Sequence, residues 1–123
     1  MFQYGVIRHV VKGHMQTPPL TEPVLLILLS LAENPRHGYS ILKDVEAMSG
    51  GRVKLSTGTL YGALRRLLEE GWIQRFEENS DDISRGRQAY RLSPAGRRNL
   101  RVEIIRMKHL THLASLRVAH KET

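Results

Sequence analysis

The groups best suited to grip a polyanion lie together between Ser56 and Gly71, in the stretch STGTLYGALRRLLEEG. Serine and threonine hydroxyls, a tyrosine phenol and two adjacent arginines can all donate to phosphate oxygens or base edges, and an arginine can meet guanine O6 and N7 with two donors at once. At about 100° per residue, Leu60, Ala63, Leu64 and Leu67 fall on one narrow side of a helix, while Gly58, Thr59, Tyr61, Gly62, Arg65 and Arg66 fall on the other. The spacing predicts a helix that packs with its leucines and offers the opposite face to a groove of DNA. Its candidate contacts are Ser56, Thr57, Gly58, Thr59, Tyr61, Arg65 and Arg66. The plainer alternative is an amphipathic surface helix in which Arg65 and Arg66 pair with Glu69 and Glu70 at i+4.

A second basic pair, Arg85 and Arg87 around Gly86, suits phosphate or minor-groove contact. Glu77, Glu78, Asp81 and Asp82 lie in the same stretch, and must either point away from a duplex or pair with these arginines. His109 and His112 are three apart and could share a metal with His120, but histidines on a solvated helix face are the commoner case and no carboxylate is suitably spaced. No metal or cofactor is expected. Trp72 reads either as the wall of a pocket for a planar effector or as an anchor between strand and helix. No Ser-His-Asp set, paired carboxylates or Gly-rich phosphate loop is present, and His37 beside Gly38 reads as a helix cap rather than a base, so the chain is not expected to be an enzyme.

Several elements must position these residues. Thr21 to Glu33 reads as a first core helix, with Thr21 as N-cap, Pro23 in the opening turn and Asn34-Pro35 as the stop. His37 to Ser49 reads as a second, with Ile41, Val45 and Met48 facing the core and Gly50-Gly51 ending it. A turn containing Val53 and Leu55 then leads to the Ser56 helix, for which Ser56 is an apt N-cap and Gly71 an apt stop, giving about 16 residues and about 24 Å. Two helices joined by a tight turn, the second with a polar outer face, make a helix-turn-helix. Trp72 to Glu77 and Gln88 to Leu92 alternate as strands, with Tyr90 and Leu92 on one face and Ala89 and Arg91 on the other. Their long polar connection would form a wing.

Ser93-Pro94 starts a final helix that nothing breaks until about His120, about 27 residues or about 40 Å. Leu100, Ile104, Met107, Leu110, Ala114 and Val118 form one apolar stripe on it, and Val102, Ile105, Leu113 and Leu116 a second. A helix that overhangs its domain with two apolar sides needs another molecule, which suggests a symmetric homodimer held by the first stripe. The expected class is therefore mainly α with a small β-hairpin. It would comprise an N-terminal extension (1–19), a winged helix-turn-helix domain (20–92) and a C-terminal dimerisation helix (93–123). Gly13-His14-Met15 resembles the scar left ahead of an inserted coding sequence, so residues before Met15 are either non-native or come from an upstream start.

Composition sets the outer limits. The 123 residues suit one domain with a small core. The absence of cysteine rules out disulfides, thiolate zinc sites and a cysteine nucleophile, and fits a reducing, cytoplasmic setting. The net charge of +7 and pI near 10.2 suit a polyanionic partner. Yet the span from Arg52 to Arg91 carries eight basic and six acidic residues, against seven and two from Pro94 to Thr123, so the excess sits in the tail. The case for nucleic acid rests on where particular arginines lie. The most apolar run, Val24 to Leu31, is far short of the roughly 20 residues a bilayer requires, and no secretory signal is evident.

The order of motifs is also familiar. T-x-P-V-L-L-x-L-L-S-L at Thr21 to Leu31, H-G-Y-x-I at His37 to Ile41, G-T-L-Y-G-A-L-x-R-L-x-E-x-G-W-I at Gly58 to Ile73 and Y-R-L-S-P-A-G at Tyr90 to Gly96 resemble the PadR family of bacterial transcriptional regulators. The likeness runs from Leu20 to about Leu100. It implies a winged helix-turn-helix with a C-terminal dimerisation helix, bound as a homodimer to an inverted-repeat operator in double-stranded DNA, usually repressing, and answering to a small-molecule effector or stress. Carried over by position, the DNA-reading segment is Ser56 to Arg66 and the wing is Phe76 to Gln88. Many members have proline after the tyrosine where this chain has Gly62, and the single final helix matches the compact branch, which lacks a separate effector domain. The competing reading is a winged-helix module that binds another protein through its tail and does not bind DNA.

Overall fold

The computed structural model describes residues 20–76 and 88–122. Among these the elements run α1 (Glu22–Ser30), β1 (Arg36–His37), α2 (Gly38–Met48), α3 (Thr57–Glu69), β2 (Ile73–Phe76), β3 (Ala89–Leu92) and α4 (Pro94–Glu122). The sheet is antiparallel with strand order β1-β3-β2. The core lies between the helices and the inner face of the sheet, where Ile27, Leu28, Leu31, Ile41, Val45, Leu60, Leu64 and Ile73 are fully enclosed.

Local chemistry explains most of the boundaries. Thr21 caps α1, its hydroxyl accepting the Val24 N–H, and Pro23 sits in the first turn where no amide partner is required. The helix ends at Ser30 rather than at the expected Glu33. Its last carbonyls find other donors: Leu31 N–H turns back to Leu28, and Arg36 Nε takes the Ser30 carbonyl at 2.6 Å. The same guanidinium reaches Ser40 Oγ at 3.1 Å and Asp44 at 3.5 Å, so one side chain fixes α2 against the end of α1.

The strand β1 was not apparent in the sequence. Arg36 pairs with Tyr90 and His37 with Ala89, which makes β3 the middle strand. That position corrects the expected alternation: Tyr90 and Leu92 face inward, but Ala89 is buried too, flanked in register by His37 and Phe76. Met48 is also corrected. Ile41 and Val45 are fully buried, whereas Met48 is 42% exposed, because packing on α2 stops one turn before the helix does. His37 occupies the N-cap position of α2, yet its side chain makes no capping hydrogen bond. Gly50 and Gly51, with φ of 64° and 84°, then end α2 in left-handed conformations closed to other residues without strain. Arg52, just beyond, makes a two-pronged contact with Glu22 at 2.8 and 2.5 Å, tying the turn to the start of α1.

α4 first joins the rest at a compact turn. Ser93 Oγ accepts the Gly96 N–H at 2.9 Å and donates to the Gly71 carbonyl at 2.6 Å, while Ser93 N–H donates to the Trp72 carbonyl at 3.0 Å. Gly96 lies so close that a Cβ there would sit 2.0 Å from the Trp72 carbonyl oxygen. Beyond this joint Leu100 is buried in the domain's own core, Ile104 packs against it, and buried Glu103 pairs with Arg106 on the same helix. At 29 residues α4 is about 43 Å long, so most of it projects past the domain.

Two expectations follow. Gly96→Ala should destabilise the fold by about 1–3 kcal/mol, since the obstacle is backbone rather than a movable side chain, and a thermal melt would reveal a loss of several degrees. The hydrogen bond from Arg52 holds the Glu22 carboxyl below its ordinary pKa. Its contribution is thus present above the ordinary carboxylate range and lost as pH falls through the lowered value. Glu22→Gln should remove that part of the acid dependence of stability and leave neutral-pH folding intact.

Candidate nucleic-acid interface

α3 is sorted cleanly by its periodicity. Leu60, Ala63, Leu64 and Leu67 are buried, and Thr57, Gly58, Thr59, Tyr61, Arg65 and Arg66 are exposed. Ser56 caps the helix, accepting Thr59 N–H at 3.1 Å and donating to Thr59 Oγ1 at 2.9 Å. Ser56 is therefore committed to the helix end, while Thr59 keeps its own O–H proton to give. Gly71, with φ of 80°, sits just past the far end.

The exposed groups are available for a partner. Among the described residues neither Arg65 nor Arg66 forms an ion pair with Glu69 or Glu70, so the alternative of an i+4 charge ladder does not account for them. Gly58 and Gly62 have equally little internal reason to be glycine. Neither has a positive φ, and a Cβ on either would meet nothing within 4 Å. A glycine inside a helix costs roughly 0.5–1 kcal/mol relative to alanine. Together they leave the helix surface beside Tyr61 without side chains.

Tyr61 is placed less freely than its spacing suggested. It is 41% exposed, but its hydroxyl end is directed to the start of α2 at Gly38. Nearby, burial pushes the Tyr90 phenol above its ordinary pKa, with Tyr61 adding to the shift and Arg75 opposing it. Arg75 is the residue that sequence reading missed. It is exposed on β2, opposite Tyr90 in register, and its Nε donates to Gln88 Oε1 at 2.7 Å. The strand period gives only that Arg75 shares a face with Ile73; that this face packs beneath α3 is a matter of tertiary structure. On the other face, Arg91 lies over the Phe76 ring at 5.2 Å and braces the hairpin. Arg85 and Arg87, with their acidic neighbours Glu77, Glu78, Asp81 and Asp82, lie outside the described residues.

On α4 the two apolar stripes differ from expectation. Leu100, at 4% exposure, is buried in the domain's own core and the half-buried Ile104 packs against it, because the first turns of α4 lie on the body of the domain. Met107 is half-buried, and Leu110, Ala114 and Val118 are exposed further along. The second stripe is bare closer in, with Ile105 at 66% and Val102 and Leu116 also exposed. Trp72 is buried in the core cluster, which makes it an anchor rather than a pocket wall. No described helix is long and apolar enough to cross a membrane.

A helix-turn-helix whose second helix bears an open polar face, followed by a hairpin on a three-stranded sheet, defines a winged helix-turn-helix protein. Residues 27–102 match the PadR-like family of transcriptional regulators, and the chain belongs to that family. A 37.1 kDa protein of transposon Tn4556 from Streptomyces fradiae is 41% identical over 88 residues, 71% of this chain. The match spans only 23% of that relative. Among solved structures, a PadR family regulator from Clostridium difficile superposes with a TM-score of 0.65 at 23% identity, covering 80% of this chain and 99% of that one. A transcriptional regulator from Clostridium thermocellum does so with a TM-score of 0.61 at 22% identity, covering 76% and 86%. At that identity the two structures speak for the fold alone.

The glycines give a direct test. Gly62→Ala should raise stability by about 0.4–1 kcal/mol in a urea or thermal melt, since nothing among the described residues opposes the added methyl. A loss of stability would show that Gly62 is needed by the fold rather than by a partner.

Proposed function

We propose that this protein is a sequence-specific, cytoplasmic transcriptional repressor that binds a near-palindromic operator as a homodimer and releases it when a small molecule binds between the subunits. The observation that carries the reading is the open face of α3, where hydroxyls, two arginines without an ion pair among the described residues and two glycines with open space around them stand together. Thr57 and Thr59, in the first turn, are placed to meet a phosphate where unpaired backbone amides also point outward. Arg65 and Arg66 supply charge along the groove, either to phosphate or to guanine. Tyr61 and Gly58 set the close approach, and Arg85 and Arg87, outside the described residues, would add phosphate or minor-groove contacts.

Residues 20–92 form the DNA-binding unit in this reading, residues 93–123 pair the two copies and residues 1–19 are an extension. Pairing uses the part of α4 that the domain leaves bare: Leu110, Ala114 and Val118, joined by Val102, Ile105 and Leu116. Two α3 helices would then enter successive major grooves about 34 Å apart. An effector that favours a different spacing draws the dimer away from its operator by preferential binding to that state.

Binding to the promoter beside its own gene should weaken steeply with salt as counterions compete for phosphate. Arg65→Ala should cost about 1–3 kcal/mol of affinity, or lower the salt dependence by about one ion if its contact is to phosphate. Ile105→Glu should yield a well-folded monomer by sedimentation with operator affinity lost; Ile105 is the better probe than Ile104, whose packing is partly internal. Equal affinity for that promoter and for random duplex would contradict the proposal.

A further inference from the structure

Gly38, the first residue of α2, is buried although it contributes no side chain. Its backbone does not demand glycine, since the described positive-φ glycines are Gly50, Gly51 and Gly71. Helix propensity would favour alanine. What glycine provides here is room for one particular group. A Cβ on Gly38 would fall 2.2 Å from the Tyr61 hydroxyl oxygen, 2.7 Å from its Cζ and 3.2 Å from its Cε1. All three atoms belong to the tip of a single ring. That ring starts on the open face of α3 and reaches back to the start of α2, with Tyr90 close enough to feel its phenol.

We propose that Gly38 is a positioning residue for DNA recognition, acting through Tyr61. Its bare Cα forms the slot in which the phenol end is seated, and the seated ring is held as a fixed wedge on the reading face. Left unseated, the ring would be a freely rotating side chain. Selection of the base pairs nearest Tyr61 then depends on residue 38, which need not touch nucleic acid itself. This rests on the reading of α3 as the DNA-contacting helix.

The geometry also separates Gly38 from Gly96. At Gly96 an added methyl meets a backbone carbonyl, which has nowhere to go, whereas at Gly38 it meets the end of a side chain that can swing into solvent. Gly38→Ala should therefore keep the fold and displace Tyr61.

The test is a cycle of four proteins: unaltered, Gly38→Ala, Tyr61→Ala and the double variant. Each is measured for affinity to a duplex selected from random sequence by the unaltered protein, with a thermal melt and, for the first two, nuclear Overhauser contacts between residue 38 and the Tyr61 ring. Gly38→Ala is expected to melt close to the unaltered protein, to lose the contacts between the Cα of residue 38 and the phenol end of Tyr61 seen in the unaltered protein, and to bind about three- to tenfold more weakly. In the Tyr61→Ala background the same change should alter affinity by less than about twofold, because no ring remains to displace. An undiminished Gly38→Ala variant, or an equal loss with and without the tyrosine ring, overturns the inference alone. Failure of the unaltered protein to select any duplex overturns the DNA-binding reading, and this inference with it.

Discussion

The fold turns on the joint at which Ser93 and Gly96 clasp the Gly71–Trp72 turn. Four element ends meet there: α3 stops, β2 begins, β3 ends and α4 starts. One serine hydroxyl bonds in both directions, satisfying a helix N-terminus and a turn carbonyl at once, and a glycine lets the two backbones close to contact. Partly shielded from water, these bonds are stiffer than exposed ones. α4 is thus set against the domain by this joint together with the packing of Leu100 and Ile104 on the core.

Elsewhere the helices are held by a mixture of core packing and one polar hub. Arg36 binds the end of α1 and two positions on α2, so one side chain on β1 ties together the three segments before α3. The exposed Arg52–Glu22 pair adds a weaker strap across the turn. Against this support the outward face of α3 stands apart chemically, with side chains and glycines that contribute little to the fold.

Much of this was legible in the sequence because its signals are local. Thr21, Ser56 and Ser93 announce helix starts through their own hydroxyls, and Gly50, Gly51 and Gly71 announce stops through backbone conformations that other residues avoid. The inward and outward faces of α3 followed from the helical period alone. What could not be read depends on partners distant in the chain. Two residues carry no periodicity, so β1 exists only because Arg36 and His37 find a ladder on β3. The burial of Ala89, the exposure of Met48 and the internal role of Leu100 each depend on where a neighbouring element begins or ends. The seating of Tyr61 on Gly38 joins two residues whose spacing in the chain gives no hint of contact, and Arg75 gained meaning only once the sheet was seen to sit under α3.

Hydroxyl-radical footprinting of the unaltered protein on the DNA preceding its own gene is the most direct measurement of whether paired α3 helices read a duplex. The expected result is two protected patches on one face of the double helix, related by a dyad and about 10–10.5 base pairs apart. A single patch, uniform shielding or no protection would contradict it.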